Sequence, residues 1–134
     1  MSSEPGIPKL LEGVRVLVVE SEPDARDLLE AVFAYCGALV THAASARQAL
    51  AQARSLTPDV IVTGIAQPDE DGYWLIRELR ALDGAAGAIP VVALAAGRED
   101  TPERTLAAGF DAHVRKPVDP WELCRTVAGL AHKP

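Results

Sequence analysis

Five positions at or directly after the ends of apolar runs are the first candidates for chemistry. Glu20 and Ser21 follow one run, and Lys116 follows another. A carboxylate, a hydroxyl and an ammonium group can together hold ions or phosphoryl groups. Two further runs end on Gly64 and on Ala95, and neither residue has a side chain that could react. Three of the five positions thus carry polar or charged side chains that could bind an ion or a phosphoryl group, and the other two carry none.

The runs themselves belong to a regular alternation of strands and helices. Strands are predicted in five short stretches rich in apolar and β-branched residues: 14–19, 38–43, 59–64, 89–95 and 111–115. A segment with helical periodicity follows each strand, and the fourth helix is predicted at about 99–108. Mostly apolar strands that alternate with helices favour a parallel sheet covered on both faces. We therefore predict a doubly wound α/β fold, with one domain over residues 13–134 and a flexible N-terminal tail over residues 1–12.

Residue types at the helix ends support these boundaries. A side-chain oxygen can accept a hydrogen bond from the free N–H groups of a first turn, and glycine readily forms the left-handed turn that ends a helix. We expect Ser21, Ser45 and Asp119 to cap the first, second and fifth helices, and Gly37 and Gly109 to end the first and fourth.

Composition excludes several classes of partner. The net charge of -6 and the absence of a dense basic run argue against binding to nucleic acid. The longest nearly uncharged stretch, residues 84–97, is shorter than the roughly 20 residues of a membrane-spanning helix. Without a signal-peptide pattern at the N terminus, the expected location is the cytoplasm. In that reducing compartment, Cys36 and Cys124 are expected to be buried free thiols.

In a doubly wound sheet, ligands bind at the carboxyl ends of the strands. The segments around those ends are VRVLVVESEPDARDLLE, PDVIV followed by PDEDGYWLIRELR, IPVVALA and AAGFDAHVRKPVDPWEL. In order and spacing, they resemble the receiver domain of bacterial two-component response regulators. The resemblance covers residues 13–131 and implies a five-stranded parallel sheet in the flavodoxin-like order 2-1-3-4-5, flanked by five helices.

The resemblance also implies a phosphoryl-transfer site that this sequence has largely lost. Receivers carry a nucleophilic aspartate after the third strand, two acids after the first that help bind Mg²⁺, a hydroxyl after the fourth and a lysine after the fifth. The matching positions here are Gly64, then Glu20 and Ser21, then Ala95 and Lys116. Only the lysine is kept. We therefore expect a degenerate receiver with no catalytic residues, no metal and no cofactor, and hence no enzymatic activity.

Neighbouring residues offer little replacement for the missing aspartate. Side chains alternate across a strand, so the hydroxyl of Thr63 should point to the face opposite residue 64. Asp69 and Asp71 are better explained as turn and helix-cap residues. Lys116 has two explanations, which the sequence leaves open. It forms an ion pair with Glu20, or it holds an anion together with backbone N–H groups of the loops at residues 65 and 96.

If the catalytic end is inert, function must lie on a surface. The resemblance places His113 where receivers carry an aromatic residue on the fifth strand. Helical phase turns Trp121 and Arg125 outward from the fifth helix, and it predicts that Trp74 is at least half exposed on the third.

We therefore predict a stand-alone pseudo-receiver in bacterial signal transduction that binds another signalling protein, with a homodimer as a further arrangement. Two alternatives stay open. One is a small module that senses an anion or a nucleotide at the vacated site. The other is a phosphoacceptor that uses an unconventional residue.

Overall fold

Five parallel strands form one sheet in the order β2-β1-β3-β4-β5. The structure, a computed structural model, describes residues 6–132. The strands are β1 Arg15–Val19, β2 Leu39–Ala43, β3 Val60–Gly64, β4 Val91–Ala95 and β5 Ala112–Arg115. The predicted fold class and strand order are thus confirmed, and the reversal of strand order between β1 and β3 places the switch point at their carboxyl ends.

A helix follows each strand. The helices are α1 Pro23–Tyr35, α2 Ala46–Leu56, α3 Gly72–Arg80, α4 Pro102–Ala108 and α5 Pro120–Ala131, with short 3-10 helices at Ile7–Lys9 and Gly84–Ala88. Helix α4 starts later than predicted because Thr101 caps it and Pro102 occupies its first position. Among residues 6–132, no helix is both long and apolar enough to cross a lipid bilayer.

The sheet separates two layers of core. On one face, alternate strand residues pack with α2 and α3, and this layer includes Ile61, Ala93, Ala49 and Leu75. On the other face, the intervening strand residues pack with α1 and α5, and this layer includes Val62, Leu94, Phe33 and Leu123. Both faces are apolar because each is covered by helices. Helices α3 and α5 therefore lie on opposite faces of the sheet.

The segment before β1 differs from the flexible tail predicted over residues 1–12. Within this segment Leu11 is fully buried in the core with α1 and α5, and its N–H donates to the Cys36 carbonyl at 2.8 Å. Ile7 and Leu10 are partly buried beside it. Three apolar side chains on so short a segment gain enough burial to hold it against the domain. Residues 1–5 lie outside the described part of the chain.

Most predicted helix ends are confirmed. The side chains of Ser45 and Asp119 accept hydrogen bonds from first-turn N–H groups of α2 and α5. The prediction for α1 is wrong by one residue, because Glu22 rather than Ser21 caps it through its longer carboxylate side chain. The two predicted glycines have positive φ angles, +94° at Gly37 and +116° at Gly109.

Candidate functional site

Parallel pairing brings the predicted site residues to one edge of the sheet. Glu20 follows β1, Gly64 ends β3, Ala95 ends β4 and Lys116 follows β5. Gly64 lies level with Leu94 in the sheet register, one residue before Ala95. The four positions therefore surround the same carboxyl edge, as the sequence predicted.

Glu20 and Lys116 form an ion pair across this edge. Their Oε1 and Nζ atoms are 3.4 Å apart, and Glu20 is only 6% exposed. The second carboxylate oxygen of Glu20 accepts a hydrogen bond from the Glu22 N–H at 3.3 Å. Pairing a buried carboxylate in this way offsets much of the cost of removing it from water. This contact is the one expected from the first of the two explanations for Lys116.

The carboxamide of Gln67 fills the space beside Gly64. Its Nε2 atom donates to the Gly64 carbonyl at 2.9 Å and to the Val19 carbonyl at 3.2 Å. A Cβ atom at position 64 would lie 3.3 Å from the same nitrogen. The amide thus stands where a longer side chain at this position would extend. Gln67 was not among the predicted site residues, although a polar residue in the short loop after β3 lies close enough in the sequence to reach this edge.

The remaining two positions, Ala95 and Ser21, carry no carboxylate. Ala95 is fully buried and offers only a methyl group, while its carbonyl accepts the Lys116 N–H at 2.9 Å. Ser21 is half-buried between β1 and α1. The five site positions therefore carry one carboxylate and one ammonium group, already paired with each other.

The acidic turn after β3 is structural. Asp71 caps α3 by accepting the Trp74 N–H at 2.9 Å. Asp69 accepts the N–H groups of Ala46 and Arg47 at the start of α2, at 3.1 and 3.0 Å. Slight burial acts to raise the pKa of Asp69, but these N–H groups and that of the next residue outweigh it and lower the pKa. Asp71 thus has the helix-cap role that the sequence indicated, whereas Asp69 bonds to the distant start of α2.

Thr63 does not reach the site. It is fully buried, and its hydroxyl donates to the Gly64 carbonyl at 2.8 Å. Strand alternation places its side chain on the same face as Ile61, in the core layer with α2 and α3. Its hydroxyl is therefore both bonded and directed away from the face that residue 64 would use.

The loop between β4 and α4 is held by three side chains. The Tyr73 hydroxyl donates to the Asp100 carboxylate at 2.8 Å. Arg115 donates to the carbonyls of Gly97 and Asp100 at 3.1 and 2.7 Å. The guanidinium of Arg104 lies over the Tyr73 ring, 4.5 Å from its centroid. These contacts join α3, α4 and β5 to one loop.

The Tyr73 contact predicts a pH dependence of stability. Burial, followed by the hydrogen bond to Asp100 and its negative charge, raises the pKa of Tyr73 from 10.0 to about 12. The folded state therefore holds the phenol proton more tightly than the unfolded state, so this stabilisation is present below pH 10 and is lost between about pH 10 and 12. Between these pH values, the free energy of unfolding should fall more steeply for the wild type than for Tyr73→Phe. Urea denaturation at several pH values measures this, and equal slopes would contradict the assigned contact.

His113 is half-buried against α4. Its Nδ1 atom lies 2.9 Å from the Thr105 hydroxyl, which itself donates to the Pro102 carbonyl at 3.2 Å. His113, a candidate for partner binding, therefore makes this contact within the domain, with Thr105 of α4.

The two tryptophans differ in exposure. Trp121 is 39% exposed and pairs with Tyr35 of α1, with ring centroids 5.8 Å apart. Arg125 is exposed on the same helix. Trp74 is mostly buried, so the expectation of at least half exposure is wrong. It packs against the core layer with α2 and α3, and the Arg47 guanidinium of α2 covers its ring at 5.1 Å.

Comparison with known proteins agrees with this architecture. The family model described as the response regulator receiver domain matches residues 16–128. A relative in Leptolyngbya boryana, an uncharacterized 14.6 kDa protein in the sodA1 3′ region, is 40% identical over 84% of this chain and 86% of its own length. The KDP operon transcriptional regulatory protein KdpE of Escherichia coli is 34% identical over 81% of this chain, which spans only 47% of KdpE.

A solved receiver-domain structure is similar to this chain in three dimensions as well. The receiver domain of the sensor histidine kinase PA1611 from Pseudomonas aeruginosa superimposes with a TM-score of 0.82. It is 30% identical and covers 90% of this chain and 99% of its own. Fold, strand order and sequence thus agree, and the chain belongs to the response regulator receiver domain family of two-component signal transduction.

Proposed function

We propose that this receiver domain works without phosphorylation, as a module that binds another signalling protein. One observation carries the proposal: the end of β3 presents Gly64, and the Gln67 amide occupies the space beside it. A phosphoryl group needs an attacking side chain at this edge, and glycine has none. Protein partners are favoured over nucleic acid because the net charge is -6.

The residues at the site do not fit the magnesium ion that the family implies. The PA1611 receiver holds a magnesium ion coordinated in its active site cleft. Mg²⁺ requires a near-octahedral set of oxygen ligands, commonly with one or two carboxylates. Here one oxygen of Glu20 faces the Lys116 ammonium, and Gln67 directs N–H groups rather than oxygen toward Gly64. Within residues 6–132, no group of three or more His, Cys, Asp or Glu side chains is placed to hold a metal.

An anion sensor at the same edge has less support. It needs Lys116 and loop N–H groups to be free, but the ammonium lies beside Glu20. The N–H of Ile65 donates to the Leu94 carbonyl at 3.3 Å. An anion bound at Lys116 would also be repelled by the negative charge of the Glu20 carboxylate. NMR shifts of Lys116 and its neighbours on titration with millimolar phosphate or ATP would revive this alternative.

We place the partner surface on the outward side of α5. The Trp121 and Tyr35 pair lies at one end of this helix, and Arg125 follows one turn later. Aromatic residues and arginine are the residue types that most often dominate binding energy at protein interfaces. Among the ion pairs of residues 6–132, none includes Arg125. Its charge is therefore available to an acidic partner.

Gly129, inside α5, is a second reason to place the partner surface on this helix. A Cβ atom there would meet nothing within 4 Å, so packing inside the domain does not require glycine. Glycine within a helix costs about 1 kcal/mol relative to alanine. A groove of about 490 Å³ lies beside it, between α5 and residues 6–10, with Ile7 and Leu10 in its wall. This open position suits close approach of a partner's backbone.

The same surface favours a different protein over a second copy. In a two-fold dimer, each patch faces its own duplicate, so Arg125 would face the like charge of its own copy if it lay near the axis. We therefore expect size-exclusion chromatography to give a monomer. A stable dimer that Arg125→Glu disrupts would replace this hetero-partner proposal with self-association.

The surface can be tested by affinity capture from the native cell. Trp121→Ala should weaken retention of the partner at least about tenfold, because a truncated interface tryptophan often costs about 2 kcal/mol or more. Quantitative mass spectrometry of the captured proteins gives the measurement.

Trp74→Ala is the matched control. It removes the same side chain from the opposite face of the sheet, where Arg47 covers it. The captured proteins should not change, provided that circular dichroism shows both variants folded. If capture depends on Trp74 and not on Trp121, the interface is misplaced.

A further inference from the structure

Two cysteine sulfur atoms meet inside the domain. Cys36 directly follows α1, and Cys124 lies early in α5. Both are fully buried free thiols, as the sequence predicted, and their Sγ atoms are 3.4 Å apart. The contact joins two helices whose cysteines are 88 positions apart in the chain. None of the site contacts uses either thiol.

The environment keeps the pair reduced while the domain is closed. Burial, together with the hydrogen bond to Cys36, raises the pKa of the Cys124 thiol to about 12. A protonated thiol is a poor nucleophile, because the thiolate is the reactive form. Reaction therefore requires local opening that admits water and a small oxidant.

Cys36 lies at a helix end, where local opening costs less than in the middle of a helix. It is the C-cap of α1, and its N–H is shared between the carbonyls of Phe33 and Val32 at 3.1 and 3.2 Å. Gly37 follows with a φ of +94°. Tyr35, which precedes Cys36, is 59% exposed. Helix ends open at lower free energy than the core, so Cys36 becomes accessible before Cys124.

We propose that Cys36 and Cys124 form a modification site at which a peroxide oxidant creates a disulfide between α1 and α5. The Cys36 thiolate attacks one oxygen of hydrogen peroxide, the O–O bond breaks, and hydroxide leaves with the electron pair. The Cys36 sulfenic acid is then attacked by the Cys124 sulfur. The S–S bond forms, and the sulfenic oxygen leaves as water. In total, two thiols lose two electrons and two protons, and the peroxide is reduced to two waters.

The disulfide would change the surface above it. The sulfur atoms must approach from 3.4 Å to about 2.05 Å, so the two cysteine side chains, or the helix segments that carry them, must move toward each other. Tyr35 and Trp121, each close in sequence to one of the cysteines, form the aromatic pair over this junction. Closure should shift that pair and place a disulfide, an efficient quencher of indole fluorescence, near Trp121.

The test uses the full chain and hydrogen peroxide as the probe. After incubation, the protein is unfolded, alkylated with N-ethylmaleimide and weighed intact. We expect a species about 2 Da lighter than the reduced protein, with no alkylation, and a Cys36–Cys124 peptide in the non-reducing digest. Tryptophan fluorescence should fall in parallel and recover with dithiothreitol.

Cys36→Ala and Cys124→Ala are the controls. Neither can form the internal disulfide, so peroxide should leave tryptophan fluorescence unchanged in both. If either variant fails to fold, the peptide map of the wild type still decides. Two alkylated thiols after hours in peroxide would overturn the proposal. So would a disulfide-linked dimer, or a sulfinic acid about 32 Da heavier without an internal bond.

Discussion

The Gly64→Asp variant should remain unable to accept a phosphoryl group. With acetyl phosphate and Mg²⁺, neither it nor the wild type should gain the roughly 80 Da of one phosphoryl group in intact-mass measurements. A new carboxylate at position 64 would lie beside the Gln67 amide, since even its Cβ would be 3.3 Å from Nε2. The metal ligand missing at Ser21 and the hydroxyl missing at Ala95 would still be absent.

Restoring all three positions supplies the contrast. In Gly64→Asp combined with Ser21→Asp and Ala95→Thr, we expect a measurable phosphorylated fraction, because nucleophile, metal ligand and hydroxyl are present together. Thermal denaturation should show that the single and triple variants are both folded. Phosphorylation of the wild type or of Gly64→Asp alone would contradict the proposal that the site is inactive.

The fold could be predicted because its causes are local. Apolar strands that alternate with helices leave few arrangements besides a covered parallel sheet, and the strand order followed from the resemblance. Helix caps such as Ser45 and Asp119 depend on bonds within one turn. Even the inert character of Gly64 can be read directly from its residue type. For the strands, helices and caps, the sequence neighbours are also the physical neighbours, whereas the pairing of distant strands such as β1 and β3 was supplied by the resemblance.

The features that were missed depend on contacts between distant segments. Trp74 shares the outward phase of α3, but its large ring folds onto the core where Arg47 of α2 covers it. Leu11 lies in a segment too short for a helical pattern, and its burial depends on the layer formed by α1 and α5. Gln67 turns back onto strand-end carbonyls, a contact that follows from the path of the loop. Helical phase and strand alternation describe one segment at a time, so they do not predict contacts between distant segments.

At the candidate site, the sequence predicts the positions of the residues, and the structure adds the contacts between them. Sequence comparison located the five positions, because the strand ends fix them. Only the structure shows that Glu20 and Lys116 already satisfy each other and that Gln67 fills the adjoining space. These contacts satisfy the polar groups at this edge of the sheet without a metal ion or a phosphoryl group. Under the proposed function such contacts are expected, since unsatisfied polar groups at this edge would cost stability.

Arg80→Met should produce the largest loss of stability among the changes considered. The Arg80 guanidinium, on a side chain that is 27% exposed, donates to the carbonyls of Gly109, Gly87 and Ile89 and to the Asp111 carboxylate, at 2.7 to 3.2 Å. These groups precede β4 and β5, so one side chain fixes the starts of two strands.

Methionine keeps the apolar stem of Arg80 but leaves three carbonyls and a carboxylate without this donor. Because the site is partly open to water, we expect the free energy of unfolding to fall by about 3 kcal/mol in urea denaturation. Arg80→Lys should recover only part of this loss, since one ammonium cannot reproduce the planar fork. Arg77→Met, an exposed change on the same helix, should stay within about 0.5 kcal/mol of the wild type. Equal losses at 77 and 80 would mean that general helix effects, rather than the guanidinium contacts, determine stability here.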